Sequence, residues 1–449
     1  MSSSLSSTEQ LYDYHFESYV DGSGLTCASS AKPANGNYFF KAKLWQPRLV
    51  GQMLMILQRV TQSQFHQNRP PMRDPVVTSQ QQCLRWEAFS GCCGVYARVD
   101  LDDRAFNECS QTSGTTNVDF NAQMVGQLAR LGQLGDAQLS VSREGVELAT
   151  DNKRVFERKV QLPDRWVRGF GEVQVYQSRL QHLWTLSPIV LTKLFQTITK
   201  TGYGKLHLEL VNHTLRPTFK PSNQSIAIAG LERLKLIAPL LLLSDSVDVW
   251  RDQDESDVTA WQLNTKAGAL WMILSPEVQR GFSGEGQAAE LLAASDWKEN
   301  FDHVRNWMTT RENLDPAEAA SQLGLRVSQV TTVFAALATV GLAGFDAASG
   351  YYFQRQLPFV TGQIERFQPR YRHANRILDN ERVELLRSQG DVTEAKVQGD
   401  HCQYFVKLTP DGDSCTCPWY SRYQGSRGQC KHVLAVRLLS SRTLHEPTE

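Results

Sequence analysis

The chain has 449 residues, 41% hydrophobic and 21% charged, with 47 Lys and Arg balanced by 47 Asp and Glu. That length supports roughly two to four domains, and the neutrality excludes the overall basic excess of a dedicated nucleic-acid or membrane-surface binder, so any such footprint is local. Nine cysteines are too few for a disulfide scaffold, and the ordinary glycine and proline content excludes a collagen-like or long disordered tract.

Residues 1–36 read as a polar, loose arm; the serine-rich start has neither the basic nor the apolar stretch of a secretory signal. Residues 37–151 read as an α+β domain. Strands are predicted over 38–45, 84–89, 94–101, 118–120, 137–141 and 146–149, with a hairpin turn at Arg143-Glu144-Gly145. A helix over 47–62 carries Leu49, Met53, Leu57 and Val60 at helical spacing, and a second helix covers about 122–131.

Residues 152–292 read as a second α+β domain. Here the pattern predicts a helix over 173–199, with a break at Pro188 left open, then strands over 205–210, 225–229, 246–251 and 259–263. The longest apolar run, 236–243, contains Pro239 and is far short of the ~20 residues a spanning helix needs. The expectation is a cytoplasmic protein with no membrane partner.

Residues 293–360 carry a helix over 297–309, a short helix opened by Asp315-Pro316 with Glu318 in the capping-box place and stopped at Gly324, and a third helix with Val327, Val330, Phe334 and Leu337 on one face. Runs 342–345 and 351–354 pair across Ala347-Ala348-Ser349-Gly350, which completes a winged helix-turn-helix-like pattern. Its charge argues against strong DNA binding: Lys298, Arg305, Arg311, Arg326 and Arg355 face Asp296, Glu299, Asp302, Glu312, Asp315, Glu318 and Asp346. Residues 361–390 read as a linker helix whose Arg366, Arg370, Arg372 and Arg376 either follow a phosphate backbone or form a solvated face.

The sharpest signal lies in 391–442. Two strand-like runs precede Cys415-Thr416-Cys417, twelve residues follow, and then Cys430-Lys431-His432 opens a helix. Residues two apart on an extended strand share a face, so Cys415 and Cys417 can reach one ion, and Cys430 and His432 supply the rest. Three thiolates and an imidazole form a closed tetrahedral set for one structural Zn²⁺. The Cys-x-Cys-x₁₂-Cys-x-His pattern, with Pro418-Trp419 and Lys431-His432-Val433-Leu434-Ala435, resembles the SWIM zinc-finger family, which implies a ββα zinc module serving DNA or protein interaction. The runs 74–78, 87–96 and 114–120 also resemble a bacterial group of SWIM proteins. That resemblance implies a MoxR-type AAA+ ATPase or a von Willebrand A-domain protein as partner.

Around the zinc loop, Trp419, Tyr420, Arg422, Tyr423, Arg427 and Lys431 interleave rings and cations. They read either as stacking and phosphate-neutralising contacts or, for Trp419 above all, as packing. Adjacent Cys92 and Cys93 read as packed strand residues, and Cys402 beside His401 as a core residue rather than a spare ligand. No catalytic signature is found: Gly281 to Glu285 lacks the second glycine of a nucleophile elbow, and neither a phosphate-binding lysine loop nor a His-Glu-x-x-His pair occurs. The expectation is a non-catalytic adaptor for protein or nucleic acid. The alternative is a nucleic-acid-processing enzyme with its site in residues 37–290, for which Asp252, Asp254, Glu255, Asp257 and Lys266 are the raw material.

Overall fold

The computed structural model describes residues 19–21, 24–26, 38–65, 75–80, 83–133, 135–151, 153–160, 162, 164–198, 204–253, 256–284, 286–294, 297–309, 311, 313–339, 341–355, 364–400 and 402–443. The expected N-terminal arm falls mostly outside them, as do Asp254, Glu255, Asp296, Glu312 and His401. The chain divides into two compact units: residues 1–169, 179–282 and 355–358 form one, and 170–178, 283–354 and 359–449 the other. Both mix helices with antiparallel sheets.

The first unit is built on an eight-stranded antiparallel sheet. Its order is Leu180–Leu186, Ser246–Asp252, Thr259–Thr265, Gly268–Leu274, Val95–Asp102, Cys83–Phe89, Val76–Gln80 and Gly114–Asn117. Strands from both sides of residue 151 are therefore neighbours, because Gly268–Leu274 pairs with Val95–Asp102 along its whole length. The boundary expected at residue 151 runs through one sheet. Trp86, Trp261, Trp271 and Tyr96 are at most 1% exposed and fill its core.

A five-stranded sheet includes the hairpin Ala137–Ser142 and Gly145–Thr150. Gly145 there has φ +155°, and a Cβ would lie 1.8 Å from the Glu157 carbonyl oxygen, so the turn requires glycine. The helix Pro47–Gln62 forms as expected, its apolar face buried. Residues 118–120 make a single bridge at Val118 rather than a strand; the strand is Gly114–Asn117.

The helix expected over 173–199 is three elements. Asp164–Gln177 and Pro188–Thr197 are helical, and Leu180–Leu186 between them is the edge strand of the large sheet. Cys92 and Cys93 lie in the turn before Val95, not on a strand, with Cys93 at φ +57°. Arg355 is no surface charge. It is fully buried, its Nη2 2.6 Å from Glu87 Oε1, which also accepts from Tyr96 Oη at 2.5 Å.

In the second unit, helices Phe301–Met308, Pro316–Leu323 and Val327–Thr339 precede the hairpin Ala343–Asp346 and Tyr351–Gln354. Asp315 caps Pro316–Leu323 by accepting from Ala317 N at 2.8 Å, and Gly324 ends it at φ +67°. Glu318 does not complete a capping box; it pairs with Arg311 at 3.5 Å. Residues Val333 to Thr339 are all buried, so the third helix shows little surface beyond its first turns.

The segment expected as a linker helix is helical over Ile364–Phe367 and Pro369–Asp379 only. Val383–Gln389 is instead the outer strand of a four-stranded sheet with Val392–Gln398, Gln403–Leu408 and Ser414–Cys415. The helix Lys431–Thr443 packs on the latter three strands and on Pro369–Asp379.

Candidate metal centre and its surface

Three elements bring the four donors together. Cys415 ends the sheet, opposite Val406. Cys417 is the N-cap of the short helix Pro418–Tyr423, its sulfur accepting from Tyr420 N at 3.4 Å with Pro418 at the first helical position. The assigned strand ends at Cys415, but Thr416 N still donates to Phe405 O at 3.1 Å and Cys417 keeps extended angles (φ −75°, ψ 155°), so the chain stays extended until the helix begins at Pro418. Cys430 precedes the last helix and accepts from Val433 N at 3.5 Å, while His432 sits in that helix's first turn.

All four residues are buried and their ligand atoms lie within 4.8 Å of one another. A tetrahedral zinc with Zn–S near 2.3 Å has ligand–ligand edges of about 3.8 Å. His432 Nδ1 is 3.8 Å from Cys415 Sγ and 4.0 Å from Cys430 Sγ, so Nδ1 is the ligating nitrogen. Nε2 is buried without a hydrogen-bond partner, and the Tyr404 ring lies over the imidazole with centroids 4.4 Å apart.

Crowded thiols resist losing all their protons. Hydrogen bonding with Cys417, then with Cys430, holds Cys415 well above the usual thiol range. Bonds from Cys415 and Cys430 hold Cys417 well below it. Cys430, lowered by Cys415 but raised by Cys417 and burial, is pushed up to about 11. A dication offsets the sulfur charge, so zinc takes the place of protons and its binding releases them. The residues fit one structural Zn²⁺, and four protein donors complete its tetrahedron.

The contact residues expected from sequence gather in two groups. Trp419 Nε1 donates to Gly428 O at 3.3 Å, and the Trp419 and Tyr423 rings meet at 4.5 Å. Arg370 lies over Trp419 at 4.2 Å and donates to Arg427 O at 2.5 Å and Gly284 O at 2.7 Å. Arg422 and Arg427 flank Tyr423 at 5.3 and 5.2 Å. Trp419 is thus a pillar for arginines. Tyr420 points elsewhere, its hydroxyl bonded to Asp413 O.

The second group is Arg372 and Arg376 on Pro369–Asp379 with Lys431 on the last helix; Arg366 is exposed beside Phe367. Sequence reasoning missed three residues here. Asp413, 7% exposed, holds Arg437 at 2.6 Å; Tyr404 covers the ligand histidine; and His373 sits among the cations of the second group. Asp413 carries no local spacing signal, since Arg437 is remote in sequence, and His373 meets Arg372 and Arg376 on its own helix but Lys431 only through helix packing. Of the suspected acids, Asp252 is held by Arg179 at 3.2 Å and Asp257 by Lys205 at 2.6 Å, which reads as a tied turn.

Residues 404–438 match the SWIM zinc finger family. No curated protein sequence matches the chain. Among solved structures, proliferating cellular nuclear antigen from Entamoeba histolytica overlaps 54% of this chain and 99% of its own, at 14% identity and TM-score 0.38. The DNA polymerase sliding clamp from Pseudomonas aeruginosa overlaps 58% of this chain and 75% of its own, at 15% identity and TM-score 0.38. Among the described residues no helix is long and apolar enough to cross a membrane.

Proposed function

We propose that the chain is a non-catalytic adaptor, working in the cytoplasm, whose zinc module and helical segment bind a protein partner, nucleic acid or both. The closed donor set supports this reading: a completed tetrahedron leaves no position at which water could be activated, so the metal's contribution is to folding. The wider family resemblance makes a MoxR-type AAA+ ATPase or a von Willebrand A-domain protein the protein partner to test first. The three helices and hairpin of 301–354 fit a winged-helix-like module. The enclosure of Val333 to Thr339 favours docking over reading a DNA groove.

The test is affinity capture by the full chain from cell extract, with and without nuclease. Capture of a defined protein that survives nuclease and salt supports the adaptor. Metal-dependent cleavage of nucleic acid overturns it.

One observation favours a second reading, an enzyme with its site in residues 37–290. A cavity of about 330 Å³ is lined by His207, Arg251, Asp252 and Asp257 among others. Cleavage abolished by D252N and D257N would establish that alternative.

A further inference from the structure

On Pro369–Asp379, Arg372, His373 and Arg376 lie beside Lys431 of the packed last helix, all three cations acting on the His373 imidazole. Asp400 is the acid that opposes them, and it already pairs with Arg382 at 3.1 Å. Arg376 and Lys431 have no carboxylate partner among the described residues. Like charges gathered without counter-charge repel one another, and that cost is recovered when an anion arrives. The aromatic rings nearby are engaged: Arg370 and Tyr423 lie against Trp419, and Arg422 and Arg427 flank Tyr423. Rings so occupied are poor platforms for bases. Phosphate is the group this surface is arranged to meet.

We infer that this face binds the phosphate backbone of nucleic acid without reading its bases, Arg372, Arg376 and Lys431 neutralising phosphates. The inference rests on the interaction reading above and names its ligand; His373 and the helix carrying it lie outside the matched 404–438 segment. Partial desolvation, then Arg372, Lys431 and Arg376, hold His373 below the usual histidine range, with Asp400 opposing. Bound phosphates offset those cations, so the complex holds more protons than the free protein. Affinity therefore rises as pH falls toward about 6.

The experiment is fluorescence anisotropy with the full-length zinc-loaded protein and labelled oligo(dT), oligo(dA) and a mixed-sequence duplex, across salt and across pH about 6 to 8. Base composition is expected to change affinity by less than about threefold, while log K falls linearly with log salt. R376Q and K431Q should each lower that slope by about one and weaken binding several-fold at low salt. H373Q should flatten the pH dependence with zinc content and circular dichroism unchanged. Salt-insensitive binding, a strong base preference, or three variants that behave as wild type would overturn the inference. If no oligonucleotide binds but a protein is captured after nuclease treatment, the phosphate face fails and the adaptor stands; if the probe is cleaved, the adaptor fails.

Discussion

The eight-stranded sheet and the zinc module reach order by different routes. In the sheet, Cys83–Phe89 and Val95–Asp102 are buried at nearly every position, and four large aromatics lie in the core. Each such side chain contributes on the order of 2–3 kcal/mol of burial, so no single contact is decisive. In the zinc module the outer strand Val383–Gln389 is exposed at six of its seven residues, and the short helix Pro418–Tyr423 buries none. The module's own core is small, with Val397, Val406 and Val433 to Val436 buried, and one ion supplements it. A large sheet is held redundantly, whereas a small module concentrates its stability in one centre.

The sharpest way to break that contrast is to remove the metal. Chelation, or C417S, should strip amide-exchange protection from 404–438 while leaving the strands of the large sheet protected. The zinc contribution in comparable modules is about 10–16 kcal/mol, and exchange mass spectrometry reads the loss. If the large sheet opens equally, the contrast fails. The second test strikes the sheet at its costliest point. R355M or E87Q leaves a buried charge alone and should cost about 3–5 kcal/mol in urea unfolding, with much of that recovered in the double variant.

A third effect concerns Glu157, 5% exposed, whose carboxyl is pushed up to about 7 by burial, against the Asn121 amide and with Asp119 assisting. The folded state then binds more protons than the unfolded one between pH about 4.5 and about 7. Stability falls as pH rises through that window. E157Q should raise stability at pH about 8 by on the order of 1–3 kcal/mol and do little at pH about 4, as thermal melts would show. The smallest effect is D315A, which removes the cap on Pro316–Leu323 at about 1 kcal/mol, visible as faster exchange in that helix.

Much of this was legible wherever the signal is local. Pro47–Gln62 announces itself by apolar spacing, the Gly145 hairpin by its turn, Pro316–Leu323 by Asp315 and Gly324, and the four donors by their spacing. Reading failed where a remote partner decided the outcome. Leu180, Leu183 and Trp184 have helical spacing, yet Leu180–Leu186 pairs with Ser246–Asp252 as a strand. Val383–Gln389 is rich in helix formers, but the turn at Gly390, φ +57°, folds it onto Val392–Gln398. The grouping of His373 with Lys431 is a product of helix packing, invisible along the chain.

Cys415, Cys417 and the Cys430–His432 pair belong to three separate elements, and residues 418–429 are pinned at both ends by the ion they share. Losing any one donor therefore loosens the loop that carries Arg422 and Arg427, leaving Trp419 and Arg370 to hold it. What that loop displays is thus coupled to occupancy of the metal centre, so a single buried site sets the presentation of a surface twelve residues long.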